Sequence, residues 1–508
     1  MISIRPKALL TLLFALSICR LTTAAEETFF LLSKSWFEAR TPHFQTYSCG
    51  PTQDVAKLTA RLEQFRTAYE ALAGTQAVAS PPIIVIALPD HEAMRHFVPL
   101  YQGQPISLSG FFHRGNDENL IVLSLAEAGS GGLETIFHEY AHLLFRRNQE
   151  LWPMWLNEGM ADIYATFEVT GDHSVRVGKE QPIYLKLLAI QPLVPLSTLF
   201  AVTHDSPEYN ERERQGIFYA ESWLLTHYLM IGSPSHRARL GDLTSLLRRG
   251  QTPEQAFTNA FHVPLAVIEK ELARYREQNH FESLGLAVRA NLLTAQPMIT
   301  RGISPAEVSF RLGDELLRMG RTEQSETFFA KAASLAPESS FSSEGKALLA
   351  VEKHQHREAL EALQEAIKRG SRSFLVHYLC AREQLVLSAP SPDLYKTLEG
   401  PEAAEIQKEL ETSLTLMPQY GPAHHLMGFF QLIQGEDLTE AIEHLKKAID
   451  LEPENSTYLL TLAQVQIAAH DRNSARITLE ALLQPHIDGK LRAHAQEMLK
   501  GLGSLSPK

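Results

Sequence analysis

Two kinds of periodicity divide this chain. Up to about Tyr275, short apolar runs of strand length alternate with longer amphipathic stretches, and from Pro305 onward a helical period recurs in copies. In the first part His43 to Tyr47 predicts a short strand, Gln53 to Leu72 an amphipathic helix, and Ile83 to Leu88 a buried strand. Gly110 to Phe112 and Leu120 to Leu123 flank Arg114-Gly-Asn-Asp117, whose turn residues predict a hairpin. Leu133 to Leu144 predicts a helix, entered through Gly129-Ser-Gly-Gly132 and left at Arg146-Arg147, cations that suit a helix C-terminus. A second helix is expected from Pro153 through Phe167, because proline suits a first turn, and a third from Gly216 to Met230. This mixture is α+β.

Beyond Tyr275 the character changes. Thr294-Ala-Gln-Pro-Met-Ile-Thr-Arg-Gly-Ile-Ser-Pro305 combines prolines and a glycine with little periodicity, so a linker is expected over residues 286–305. After it, Leu312-Gly313, Leu316, Ser325, Phe329, Ala332 and Pro337 reproduce the small-large spacing of a tetratricopeptide repeat (TPR). Gly428, Ala441, Leu445, Ala448 and Pro453 reproduce it again. Fainter copies run through Ala347, Ala359, Leu363 and Ala366, and through Ala463, Ala475, Leu479 and Leu482. Another, through Ile406, Leu410, Ser413 and Pro418, is interrupted by Ser388 to Pro401. Small residues let paired helices approach closely, and each pair buries its face only against its neighbours. Residues 306–486 are therefore expected to form one all-α solenoid, with a capping helix, Lys490 to Leu502, inside the tail 487–508.

The chemistry lies in the first part. Within Thr135-Ile-Phe-His138-Glu139-Tyr-Ala-His142, the two histidines are four apart and project from one helical face, where both imidazoles can reach a single Zn2+. On the next helix Glu158 and Asp162 again share a face. Glu158 is the third ligand in this reading, which leaves a fourth position for water, and Glu139 stands beside the pair to take that water's proton. Asp162 is suited to accept a hydrogen bond from the non-ligating nitrogen of a zinc histidine. A hydrolase also needs a donor aimed at the oxyanion of the tetrahedral intermediate. Tyr219, Trp223 and His227 fall on one face of the third helix, so Tyr219 is the first choice for that donor and His227 the second, against the alternative of a core tyrosine packed on Trp223.

His138-Glu139-Tyr-Ala-His142 followed by Asn157-Glu158 and Asp162 resembles the gluzincin metallopeptidases, and Trp155-Leu-Asn-Glu-Gly-Met-Ala161 resembles the glutamate-ligand helix of the zinc aminopeptidases. The resemblance implies zinc at His138, His142 and Glu158, with Glu139 as general base and Asp162 behind the ligands. It also implies an oxyanion donor, Tyr or His, from a helix downstream. No Gly-Ala-Met-Glu-Asn-like segment lies upstream, and His142 and Glu158 are slightly closer in sequence than in aminopeptidases, so endopeptidase activity is the expectation. A closer resemblance is to bacterial secreted, TPR-linked peptidase MA-like proteins, over roughly Trp36 to Tyr275. Its marks are Thr41-Pro-His43-Phe-Gln-Thr-Tyr47, Ile83 to Leu88, the two zinc helices and Phe218-Tyr219-Ala-Glu-Ser222-Trp223. The fold implied is an α+β zincin-like metallopeptidase domain, residues 26–285, followed by the all-α TPR solenoid. Zincins use such a sheet to hold an extended substrate on an edge strand. The sequence leaves open whether Ile121 to Leu123 or its partner is that edge.

Composition changes this picture little. At 508 residues, 44% apolar and 21% charged, the chain can bury more than one core. A net charge of -12 without long basic clusters argues against nucleic acid or anionic membranes as partners. Residues 1–25 read as an export signal: Arg5 and Lys7, an apolar core from Ala8 to Ile18, then Thr23-Ala24-Ala25. That core is short for a bilayer span, no other window suits one, and Ile18 before Cys19 argues against lipid anchoring there. A periplasmic or extracellular location follows. After processing only Cys49 and Cys380 remain, too few for a disulfide framework. Two functional classes stay open: an exported zinc peptidase acting on a peptide or protein, with a protein partner on the concave TPR face, and a catalytically inert zincin-fold TPR scaffold. Intact Glu139 favours the first, because a binding-only protein has no chemical need of a base there.

Overall fold

The structure is a computed structural model. It describes residues 30–503 except 74–82, 102–103, 106–107, 116, 129–131, 150–151, 172–173, 204, 211, 279, 289–296, 389–397, 399, 436–437 and 485–486. The expected export signal and Cys19 lie outside the described residues. The chain divides into two compact units. The first comprises Met1–Lys57, Ala79–Ala128 and Pro297–Lys508, and the second Leu58–Val78 and Gly129–Gln296.

The first unit contains a six-stranded sheet. Its strands are β1 (Phe37–Arg40), β2 (Phe44–Ser48), β3 (Ile83–Leu88), β6 (Gly110–Arg114), β7 (Asn119–Ser124) and β11 (Ile299–Gly302), in the order β11-β1-β2-β3-β7-β6. A small ribbon, β4 (Leu100–Tyr101) with β5 (Gln104–Pro105), precedes β6. The central strands β2, β3 and β7 run parallel, with Val85 opposite both Thr46 and Ile121. β3 and β7 are buried along their whole length, which is why Ile83-Ile-Val-Ile-Ala-Leu88 is apolar without alternation. β6 is an edge and β7 is internal, which answers the question the sequence left open.

Against this sheet packs the first of five helical hairpins. Val308, Leu312, Leu316 and Phe328 share one core with Tyr47, Ile84, Ile86, Leu120 and Val122. The hairpins are Pro305–Arg318 with Thr322–Leu335, Phe341–Glu352 with His356–Lys368, Phe374–Ser388 with Pro401–Leu416, Gly421–Gln434 with Leu438–Leu451, and Ser456–Ala468 with Arg472–Ala481. Gly489–Leu502 closes the array. The residues that marked the repeat spacing sit at the helix contacts: Ala347, Ala359, Leu363, Ala366, Ala441, Leu445, Ala448, Ala463, Ala475 and Leu479 are all fully buried. A Cβ on Gly428 would stand 2.7 Å from Leu445 and 2.9 Å from the Ala441 carbonyl, so only glycine permits that approach. The turns between helices repeat too, with a left-handed residue at Gly320, His354, Gly435 and His470.

Two expectations are corrected. Residues 286–305 are not simply a linker, because Ile299–Gly302 is a strand paired to β1, Glu38 facing Arg301. All four of its residues are exposed, and an edge strand held by its backbone needs no apolar alternation, so its sequence reads as loop. Nor do residues 26–285 form one unit, since the sheet groups with the repeats.

The second unit is mainly helical. The end of helix Thr52–Ala73 packs beside the histidine helix, Gly132–Gln149, with Phe65 stacked on Phe137 at 4.6 Å and the Tyr69 hydroxyl donating to Leu144 O at 3.3 Å. The glutamate helix is Met154–Ala165, capped by Pro153, and ends before Phe167 because the chain turns at Thr166 into β8 (Glu168–Gly171). β8, β9 (Ser174–Val177) and β10 (Leu284–Ala287) form a separate antiparallel sheet. The tyrosine helix, Arg212–His227, continues as a π turn through Gly232. Cys49 and Cys380 are free thiols. No helix among the described residues is long and apolar enough to cross a membrane.

Candidate metal centre

Three helices of the second unit build the site. The four-residue spacing on the histidine helix brings His138 Nε2 and His142 Nε2 to 3.1 Å. Glu158 Oε2, from the glutamate helix, lies 3.3 Å from the first and 3.4 Å from the second. Among the described residues this is the one group of three metal-ligating side chains whose ligand atoms converge. Donor atoms bound at zinc's usual distances in a tetrahedral shell stand about 3.3–3.4 Å apart, so this triangle fits such an ion.

The atoms behind the triangle fix its orientation. Asp162 Oδ1 is 2.9 Å from His138 Nδ1, so the imidazole can keep its proton there and turn the Nε2 lone pair toward the other ligands. Burial, then the charge of Asp162, raises the pKa of the Tyr184 hydroxyl. His142 Nδ1 is buried and lacks a protein partner. Burial pushes the His138 imidazole down, but Asp162 and Glu158 outweigh it and raise its pKa to about 10. Burial pushes Glu158 up, yet hydrogen bonds and charge from His138 and His142 hold its carboxyl at about 2. The triad therefore holds a proton, with which any metal ion bound there would compete.

Glu139 is half-buried on the same helix and acts electrostatically on Tyr209. The tyrosine helix reaches the site because Gly159, next to Glu158, lets it come close: a Cβ there would lie 2.4 Å from Ser222 O and 2.1 Å from Thr226 Oγ1. Burial, then Glu158, raises the pKa of Tyr219. It packs against Phe218 and Tyr209, with ring centroids at 5.5 and 6.1 Å.

His227 does not reach the site, and the second choice for an oxyanion donor is corrected. Its Nε2 donates to Gly178 O at 2.9 Å and its Nδ1 accepts from the Tyr275 hydroxyl at 2.8 Å. Both nitrogens are thus committed, and burial lowers its pKa to about 4. Sequence reasoning missed Tyr184 and Tyr209. They come from short helices, Pro182–Ile190 and Pro207–Asn210, that bear no fixed offset to the ligand motif.

The tetratricopeptide repeat family matches residues 306–339 and, separately, residues 432–493; neither stretch includes His138, His142 or Glu158. Solved TPR structures align as well. YrrB, described as a TPR protein with an unusual peptide-binding site, is 18% identical over 38% of this chain and 92% of its own, with a TM-score of 0.31. TTC0263, a thermophilic TPR protein of Thermus thermophilus, is 21% identical over 38% and 99%, with a TM-score of 0.29. The pilF protein of Pseudomonas aeruginosa is 17% identical over 39% and 88%, with a TM-score of 0.30. No curated protein matches the chain. The chain thus carries tetratricopeptide repeats, a module through which proteins bind proteins.

Proposed function

We propose that the protein is an exported zinc-dependent endopeptidase whose TPR array recruits a protein substrate or partner. The observation that carries this reading is the triangle of His138, His142 and Glu158, with edges of 3.1, 3.3 and 3.4 Å. Bound there, zinc supplies a Lewis acid that makes a water nucleophilic near neutral pH. The chain's own residues do the rest. Asp162 holds the proton on His138 Nδ1 and so keeps Nε2 available as a ligand. Glu139 takes the proton of the attacking water and returns it to the leaving amine. The Tyr219 hydroxyl donates to the oxygen that becomes negative.

A second reading, an inert zincin-fold scaffold, is favoured by the repeat matches, which speak for protein binding alone. The two separate on one experiment. Zinc-loaded wild type and Glu139→Gln are incubated with proteome-derived peptides, and new termini are read by mass spectrometry. Equal zinc in both, with cleavage by wild type only, is expected, because an amide matches the carboxylate's shape but cannot take the proton. Fully zinc-loaded wild type that cleaves nothing would leave the scaffold.

A further inference from the structure

Repeat arrays use their stacked helices as extended binding surfaces. In the first unit, part of that surface is covered by the chain itself. The tip of the β6–β7 hairpin touches three separate points of the array. Glu118 accepts from Arg318 Nη2 at 3.4 Å, at the end of the first hairpin's first helix. Asp117 accepts from the hydroxyl of Tyr420, which caps the first helix of the fourth hairpin. Arg114 donates to Glu454 Oε1 at 2.6 Å, in the turn before the fifth. Asp117 also acts electrostatically on Tyr378 and Arg382, both on the first helix of the third hairpin. The tip thus runs along the first-helix side of the array.

The receptor is built, not incidental. Tyr420 is 1% exposed, wedged between Phe374 and Tyr378 at 4.9 and 5.1 Å, with its hydroxyl aimed at a carboxylate. Arg318 is held by Asp314 at 3.4 Å and is largely buried. Charge-assisted hydrogen bonds from poorly hydrated donors are the strong kind. A hairpin turn requires none of this to close.

We propose that the β6–β7 tip is an internal ligand of the repeat array, and that the partner of this face is an acidic peptide segment. That segment takes the receptor of Tyr420, Arg318 and Arg382 by displacing Asp117 and Glu118. The inference rests on the array being a protein-binding module and is independent of the zinc chemistry. A tethered ligand competes at an effective concentration of order millimolar, so an outside peptide binds weakly until the tip is disabled.

The test uses the full chain and a labelled cyclic peptide of residues 110–124, with the same peptide carrying Asn and Gln for Asp117 and Glu118 as control. Fluorescence anisotropy compares wild type with the Asp117→Asn, Glu118→Gln double variant, and hydrogen exchange follows the β6 and β7 amides. The double variant is expected to bind the acidic peptide at least about tenfold more tightly than wild type, with faster exchange at the tip. The control peptide should bind neither protein, and Tyr420→Phe added to the double variant should weaken binding about tenfold. Equal affinity of wild type and double variant overturns internal occupancy, as does unchanged exchange with no binding. Equal affinity for both peptides, or a released tip that binds neither, overturns the acidic partner. A protein bound through the other side of the helices is indifferent to all these changes, so failure here and failure of the array as a binding module read differently.

Discussion

The repeat array and the unit with the candidate metal centre both depend on helices that approach closely, and they secure that approach in opposite ways. In the array the small residues recur: Gly313, Gly345 and Gly428 each face a large side chain of a packed helix, and buried alanines mark the other contacts. In the second unit one glycine, Gly159, lets the tyrosine helix lie against the glutamate helix beside Glu158 of the candidate centre. A fault in the array is a fault in one of several similar contacts, because stability there is nearly a sum over neighbours. A fault at Gly159 reaches the candidate centre. Redundancy makes a region tolerant; concentration makes it sharp.

The largest effect expected on the concentrated side is from His142→Ala. Elemental analysis should find about one zinc per wild-type chain and close to none in the variant, since two remaining ligands do not make a zinc site. Stoichiometric metal in the variant would show that the ligand set is wrong. Next comes Tyr219→Phe, which should lower kcat about 10- to 1000-fold with little change in KM, because the lost hydrogen bond forms chiefly in the transition state. An unchanged kcat with lowered stability would return Tyr219 to a packing role.

The comparison itself is tested by adding the same methyl group on each side. Gly159→Ala should destabilise by about 2–3 kcal/mol in urea unfolding and also lower zinc affinity, because its Cβ meets the Ser222 backbone at 2.4 Å and displaces the neighbouring Glu158. Gly428→Ala should cost about 1–3 kcal/mol and leave zinc binding unchanged. Equal zinc affinity in both variants would break the contrast. The smallest effect is expected from His354→Gly or His470→Gly, whose φ of 54° and 60° strain a side chain where sister turns carry Gly320 and Gly435. Relief of that strain against the added chain entropy of glycine should leave thermal stability within about 1 kcal/mol of wild type.

What was legible in the sequence follows the same division. The repeats could be read because each copy restates the others, down to Ala441, Leu445 and Ala448. The convergence of His138 and His142 could be read because it is a property of one helix turn, and Glu158 and Asp162 because they share the next helix. Tyr184 could not, because its place beside Asp162 depends on where the chain goes after β9. His227 shows the limit in the other direction. Its spacing from Tyr219 is helical as expected, yet partners 48 and 49 residues away hold both its nitrogens. Ile299–Gly302 was opaque because an exposed edge strand is specified by its neighbour's backbone and not by its own side chains.

That last strand sets a timetable. During synthesis β1 emerges from the ribosome early and can pair with β2 at once, but the segment that covers its other side is translated more than 250 residues later. At roughly 5–20 residues per second this is an interval of about 10–50 s. Throughout it β1 is an open edge of the growing sheet, the template on which strands of other nascent chains can add. The high separation of this one pairing makes completion of the sheet a late event. A polysome making this protein therefore carries, on every chain short of Ile299, an uncapped strand that must be kept from its neighbours until the repeats begin to appear.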